Sequence, residues 1–153
     1  MRHLVSKLIG ACLLAGSLVN QAMAGGPYKH NGAEVTDTAT GLIWKRCVEG
    51  MTWDAAADTC AGKATTMTHE QALIAAKRSG GYRMPNVKEL VSLVNRTRAE
   101  PAIDNIAFPS TPSDASWSSS PSAAAGTAWG VGFDSGRVRH LNRRSAYVVR
   151  LVR

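Results

Sequence analysis

The chain has 153 residues, enough for one domain, and 44% of them are hydrophobic against 19% charged. That balance excludes an intrinsically disordered chain and predicts a packed core. The formal net charge of +7 directs attention to anionic partners.

Residues 1–24 read as a cleavable export signal. Arg2 and Lys7 form a charged start, an apolar run extends from Leu8 to Val19, and Ala22-Met23-Ala24 is a small-x-small cleavage site. The apolar run is too short to cross a ~30 Å hydrocarbon core as a helix, so no transmembrane segment is expected after cleavage. Ile9-Gly10-Ala11 ahead of Cys12 is similar to a lipobox, although the apolar run continues past Cys12, which argues against a lipoprotein. Residues 25–153 then form a single exported domain in the periplasm, on the outer surface or in the medium. Removing Arg2 and Lys7 leaves 16 basic side chains against 11 acidic ones, a net +5.

Cys47 and Cys60 are the cysteines left in that domain. In an exported protein they read as one disulfide, worth ~3 kcal/mol on the chain-entropy model. A metal pair would need further ligands nearby, and a redox pair would normally be Cys-x-x-Cys. Neither a metal nor a cofactor is expected.

Ala33–Thr36 and Leu42–Cys47 are β-prone runs separated by turn formers, and predict an opening hairpin. The stretch from Val48 to Thr59 reads as a loop or hairpin tied by the bridge, with the Trp53 indole tucked under it. Thr68-His69-Glu70-Gln71 is a capping box that starts a helix with Ala72, Leu73, Ala75 and Ala76 on its buried stripe, stopped by Gly80-Gly81. Asn86-Val87-Lys88-Glu89 is a second capping box. Val87, Leu90, Val91 and Val94 follow at i, i+3, i+4 and i+7.

Residues 96–128, rich in Pro, Ser and Ala, read as a long irregular loop anchored by Phe108 and Trp117. A three-strand meander closes the chain, over 129–133, 137–141 and 147–152. The expected class is α+β with antiparallel sheets.

Six blocks in this order carry a resemblance: TGLIWKRC (40–47), MTWDAAADTC (51–60), GYRMPNVKEL (81–90), SWSSSP (116–121), AWGVGFDSG (128–136) and YVVRLVR (147–153). Together they resemble the Lcl carboxy-terminal domain family over residues 33–153. That resemblance implies a C-type-lectin-like fold: two helices flanking small antiparallel sheets, with a long loop region above. It also implies a surface-exposed or exported protein, and the collagen-like adhesin that names the family is associated with sulfated polysaccharides. The calcium-binding strings of sugar-binding C-type lectins are missing. Glu100-Pro101-Ala102 and Met84-Pro85-Asn86 do not supply the paired oxygen ligands, so calcium-dependent sugar binding is not expected.

Arg137, Arg139, Arg143 and Arg144 are the candidate ligand residues. No acid lies among the last 17 residues, and strand alternation puts Arg137 and Arg139 on one face beside the turn that carries Arg143 and Arg144. Their guanidinium forks suit sulfate, phosphate or carboxylate. The plainer reading is a charged edge that keeps the strand soluble and unpaired. Arg150 and Arg153 are expected to pair acids near the N-terminal strand. Nucleic acid is disfavoured by export and by the lack of aromatics among the arginines. A surface protein and a homo-oligomer are the other partners compatible with the patch.

Catalysis is not expected. YRMPNVKEL also resembles a block of the formylglycine-generating enzymes. Their oxidase type uses a late cysteine pair, and no cysteine follows Cys60 here. His30, His69 and His140 are too dispersed to match the iron-dependent relatives. The serines of SWSSSP have no histidine and acid that the sequence places beside them.

Overall fold

The computed structural model describes residues 27–153, and the export signal and Cys12 lie outside the described residues. Two helices and three small antiparallel sheets give the expected α+β class.

The first sheet is a meander of β1 (Tyr28–Asn31), β2 (Glu34–Asp37) and β3 (Ile43–Lys45). The expected hairpin is β2–β3. Its turn is held by Asp37, whose carboxylate accepts hydrogen bonds from the Ala39 N–H and the Thr40 hydroxyl at 2.9 and 2.8 Å. β1 is an addition. Its Lys29, His30 and Asn31 are all exposed, so no alternating apolar pattern marks it in the sequence. Tyr28 docks it by meeting Phe108 edge-on, with ring centroids 5.2 Å apart.

Cys47 and Cys60 are disulfide-bonded, with Cα atoms 5.6 Å apart. Between them lies a hairpin of β4 (Met51–Asp54) and β5 (Thr59–Gly62). Trp53, expected under this hairpin, stands on β4 itself. It is half-buried, with the Arg46 guanidinium 3.9 Å from its ring centroid.

Both capping boxes form as the local sequence dictates. α1 (His69–Lys77) is capped by Thr68 with Gln71 reciprocating, and α2 (Val87–Ser92) by Asn86 with Glu89. The buried face of α1 differs from expectation. His69, Ala72 and Ala76 are buried at i, i+3 and i+7, whereas Leu73 and Ile74 remain 38% and 43% exposed. Two alanines let the helix approach the sheet closely and turn the bulkier residues outward. On α2, Leu90 is fully buried, joined by Leu93 just past the helix end.

The closing meander is corrected. The third sheet is β6 (Ala115–Pro121), β7 (Thr127–Gly132) and β8 (Arg137–Asn142), so its first strand comes from the stretch read as irregular. Ala115, Ser116, Trp117 and Ser118 are all buried. A strand covered on both faces carries no period-2 signal. Residues 147–152 form bridges rather than a strand of that sheet. The Trp117 N–H donates to the Val148 carbonyl (3.0 Å), the Lys45 N–H to that of Leu151 (3.0 Å), and Ile43 and Arg153 exchange hydrogen bonds of 2.9 Å. The terminal segment therefore stitches β6 to β3.

That stitch separates two cores. Val35, Trp44, Leu90, Phe108, Val131 and Val152 belong to the first, under α2. Ala72, Ala76, Trp117, Leu141, Val149 and Leu151 belong to the second, under α1. Val152 and Leu151 take opposite sides, as alternation requires.

Two arginines are buried at the seam. Arg46 donates to the carbonyls of Gly32, Ile106 and Ala107 at 2.8–3.2 Å and to the Asp58 carboxylate at 3.1 Å. Arg150 does not pair an acid, contrary to expectation. It donates to the Lys45 and Arg46 carbonyls and to the Thr111 hydroxyl. Burial pushes its guanidinium down to about 9, which leaves it protonated at neutral pH. Arg153 does pair Glu34, at 2.8 Å.

Candidate ligand-binding surfaces

The four candidate arginines are strung along β8 and the turn after it, and they do not converge on one point. Arg137 opens the strand and Arg143 follows its end, which separates their backbones by about 20 Å at ~3.3 Å per residue. Arg137 and Arg139 share the Leu141 face by alternation, the face packed toward α1.

Arg139 is already engaged. It donates to the Asp134 carboxylate at 2.5 Å and lies over Gly132, where a Cβ would come within 2.9 Å of the guanidinium carbon. Burial alone would raise the Asp134 carboxyl. The hydrogen bond and charge of Arg139, with help from Ser135, outweigh it and hold the group below the usual carboxylate range. Arg137 is exposed and meets no acid among the described residues.

Arg143 and Arg144 are brought together with Thr68, His69, Glu70 and Leu73 around a cleft of about 470 Å³. Arg143 is anchored: its Nε donates to the Thr127 carbonyl at 3.0 Å, and its own carbonyl accepts from the His69 N–H at 3.1 Å. Arg144 is exposed, with only its backbone N–H tied, to Asn142 at 2.9 Å. The backbone donors at the start of α1 are largely taken by the capping box and by Arg143. The positive character here therefore comes from the two arginine side chains, set against the one carboxylate of Glu70 in the same cleft.

His69 forms the inner wall. Its Nε2 lies 3.0 Å from the Ser118 carbonyl, which fixes Nε2 as the protonated nitrogen, and its ring meets Trp117 edge-on at 5.0 Å. Burial pushes its imidazole below the ordinary value. The Ser118 hydrogen bond opposes this, and the charge of Arg143 adds to it.

A second, larger cleft of about 660 Å³ lies between the first sheet and the β4–β5 hairpin. Glu34 and Lys45, directly opposite each other across β2 and β3, line it together with Glu49, Trp53 and Tyr82. Sequence reasoning missed it, because its residues come from three separated segments. Gly50 shapes its rim. At φ +90°, and with Thr65 atoms 2.1–2.8 Å from where a Cβ would stand, no other residue fits there.

Among the described residues, no group of three or more His, Cys, Asp or Glu is arranged to hold a metal, and no helix is long and apolar enough to cross a membrane. The Ser122 hydroxyl and His140 Nδ1 lie 2.6 Å apart. No carboxylate hydrogen-bonds that imidazole among the described residues, so the contact lacks the third member of a nucleophilic triad.

The fold and these surfaces define a class: a small α+β domain, clipped by one disulfide, with a basic strand and two open clefts. The family model of the Lcl C-terminal domain matches residues 33–153, nearly all of the described chain, and the protein belongs to that family. No curated protein and no solved structure matches it.

Proposed function

We propose that the protein is an exported, non-catalytic binding module that holds an anionic polysaccharide, with a sulfated glycan as the model ligand, along β8 and the turn that follows. One observation carries this reading. Arg137 and the Arg143–Arg144 pair present guanidiniums without acid partners among the described residues, spread along one strand and turn. A single sulfate cannot touch both ends of a run of about 20 Å, whereas a polymer with repeated charges can. Export rests on residues 1–24, and the polysaccharide class rests on the family resemblance together with the charge.

Retention on immobilised heparin tests the reading. The protein is expected to elute at raised salt, because exposed charge pairs are screened. Arg143→Ala/Arg144→Ala should elute markedly earlier, Arg137→Ala somewhat earlier, and Arg139→Ala least changed because Asp134 already holds it. Flow-through at low salt, or an elution point that ignores the Arg143/Arg144 change, overturns it. A protein partner on this face is the second reading, favoured by the exposed Leu73 and Ile74 on α1. It predicts a stable complex that survives salt.

A further inference from the structure

We propose that the cleft between β2–β3 and the β4–β5 hairpin is a second site, independent of β8, that binds a neutral saccharide with a sugar ring stacked on Trp53. Of the four tryptophans, Trp44 and Trp117 are fully buried and serve the cores. Trp129 is covered by His140, with ring centroids 3.8 Å apart. Trp53 is half-buried and lines a cleft of about 660 Å³, a size within the ~300–1,000 Å³ typical of small-ligand sites.

The indole is fixed from below. Arg46 lies against one face of the ring, and three backbone carbonyls and Asp58 hold that guanidinium in turn. The residue itself lines the cleft and keeps part of its surface exposed. A platform immobilised before the ligand arrives loses little side-chain freedom on binding.

The polar groups around the platform select the ligand's charge. The charges are already matched: Lys45 pairs Glu49 at 3.0 Å, Arg153 pairs Glu34 at 2.8 Å, and the Tyr82 hydroxyl donates to Glu34. An apolar ligand would strip water from these groups and return no hydrogen bonds. A pyranose fits better. One face offers C–H groups to an aromatic ring, and its rim of hydroxyls can both donate to carboxylates and accept from Lys45, Asn31 or Thr52. Tyr82 is not the platform, because Lys45 and Arg153 both lie near its ring, 5.0 and 5.2 Å from the centroid.

Titration of ¹⁵N-labelled protein with chitotriose and with cellotriose tests this, read at the indole N–H of Trp53 and across the backbone. At least one probe should shift the Trp53 indole saturably, with a dissociation constant that high salt leaves unchanged. Trp53→Ala should weaken binding by about tenfold or more. Trp53→Phe keeps an aromatic ring over Arg46, guards against loss of fold, and should bind with intermediate affinity. Arg143→Ala/Arg144→Ala should bind like the parent, which separates this site from the heparin reading. No saturable shift with either trisaccharide overturns the proposal. So does a shift that maps to β8 and persists in Trp53→Phe at full strength.

Discussion

Two regions of this protein use arginine in opposite ways. At the seam between the first sheet and the C-terminal segment, Arg46 and Arg150 are buried and donate mostly to backbone carbonyls. Along β8 and the turn that follows, Arg137 and Arg144 face water. The seam arginines act as multi-pronged donors that satisfy carbonyls no strand pairs, a structural job that needs a fork geometry more than a charge. Arg137 and Arg144 contribute little to the fold and are available to a ligand, whereas Arg139 is held by Asp134. The net charge of the chain therefore overstates what is free to attract a polyanion.

Arg150→Ala is the strongest way to break this comparison. It removes a side chain that is 1% exposed, empties its volume, and strands the Lys45 and Arg46 carbonyls, while the Thr111 hydroxyl keeps only its donation to the Phe108 carbonyl. A loss of about 4 kcal/mol of unfolding free energy is expected from urea titration. Arg144→Ala should stay within ~0.5 kcal/mol of the parent. Similar losses for the two would mean that the seam and the strand are not different environments.

The seam was half-legible in the sequence. Alternation places Arg46 on the same face as Trp44, and Arg150 on the face of Val148 and Val152. All three of those apolar residues are buried, so the parity pointed inward while the charge pointed outward. The capping boxes of α1 and α2 were fully legible, because their chemistry is complete within four residues. β6 was not, since packing on both faces replaces alternation with Ser and Ala. The Asp134–Arg139 pair escaped notice for a different reason. It closes across the β7–β8 turn and depends on Arg139 lying over Gly132, a tertiary detail that charge counting does not see. The Trp53 cleft is likewise assembled only when β2–β3 meets the disulfide hairpin.

The disulfide sharpens the comparison at an intermediate magnitude. It holds the hairpin that supplies Asp58, which pairs Arg46, and Trp53, whose ring lies against the Arg46 guanidinium. Cys47→Ser/Cys60→Ser should lower stability by ~3 kcal/mol. Hydrogen exchange should rise first at β4, β5 and the Trp53 indole, while β8 keeps its protection. Uniform loss of protection over both regions would show that the bridge clips the whole domain and not the Arg46 end of the seam.

His69 gives the smallest effect and joins the basic cleft to the core. It is the one described histidine that is buried, wedged between Trp117 and the Ser118 carbonyl with Arg143 nearby. Its folded-state value lies below the unfolded value of 6.5, so between the two the unfolded chain binds more protons. The stability that follows is present above pH 6.5 and is lost as pH falls through the folded value. Urea midpoints taken from pH 7.5 downward should therefore decline on acidification more steeply for the parent than for His69→Gln, which can still donate to Ser118 but does not titrate. A heparin fragment seated on Arg143 and Arg144 should offset part of the Arg143 field and flatten the parent's decline. Indistinguishable pH profiles for parent and His69→Gln would detach His69 from this role. A parent profile unchanged by saturating heparin fragment would place the polyanion away from the α1 end of β8.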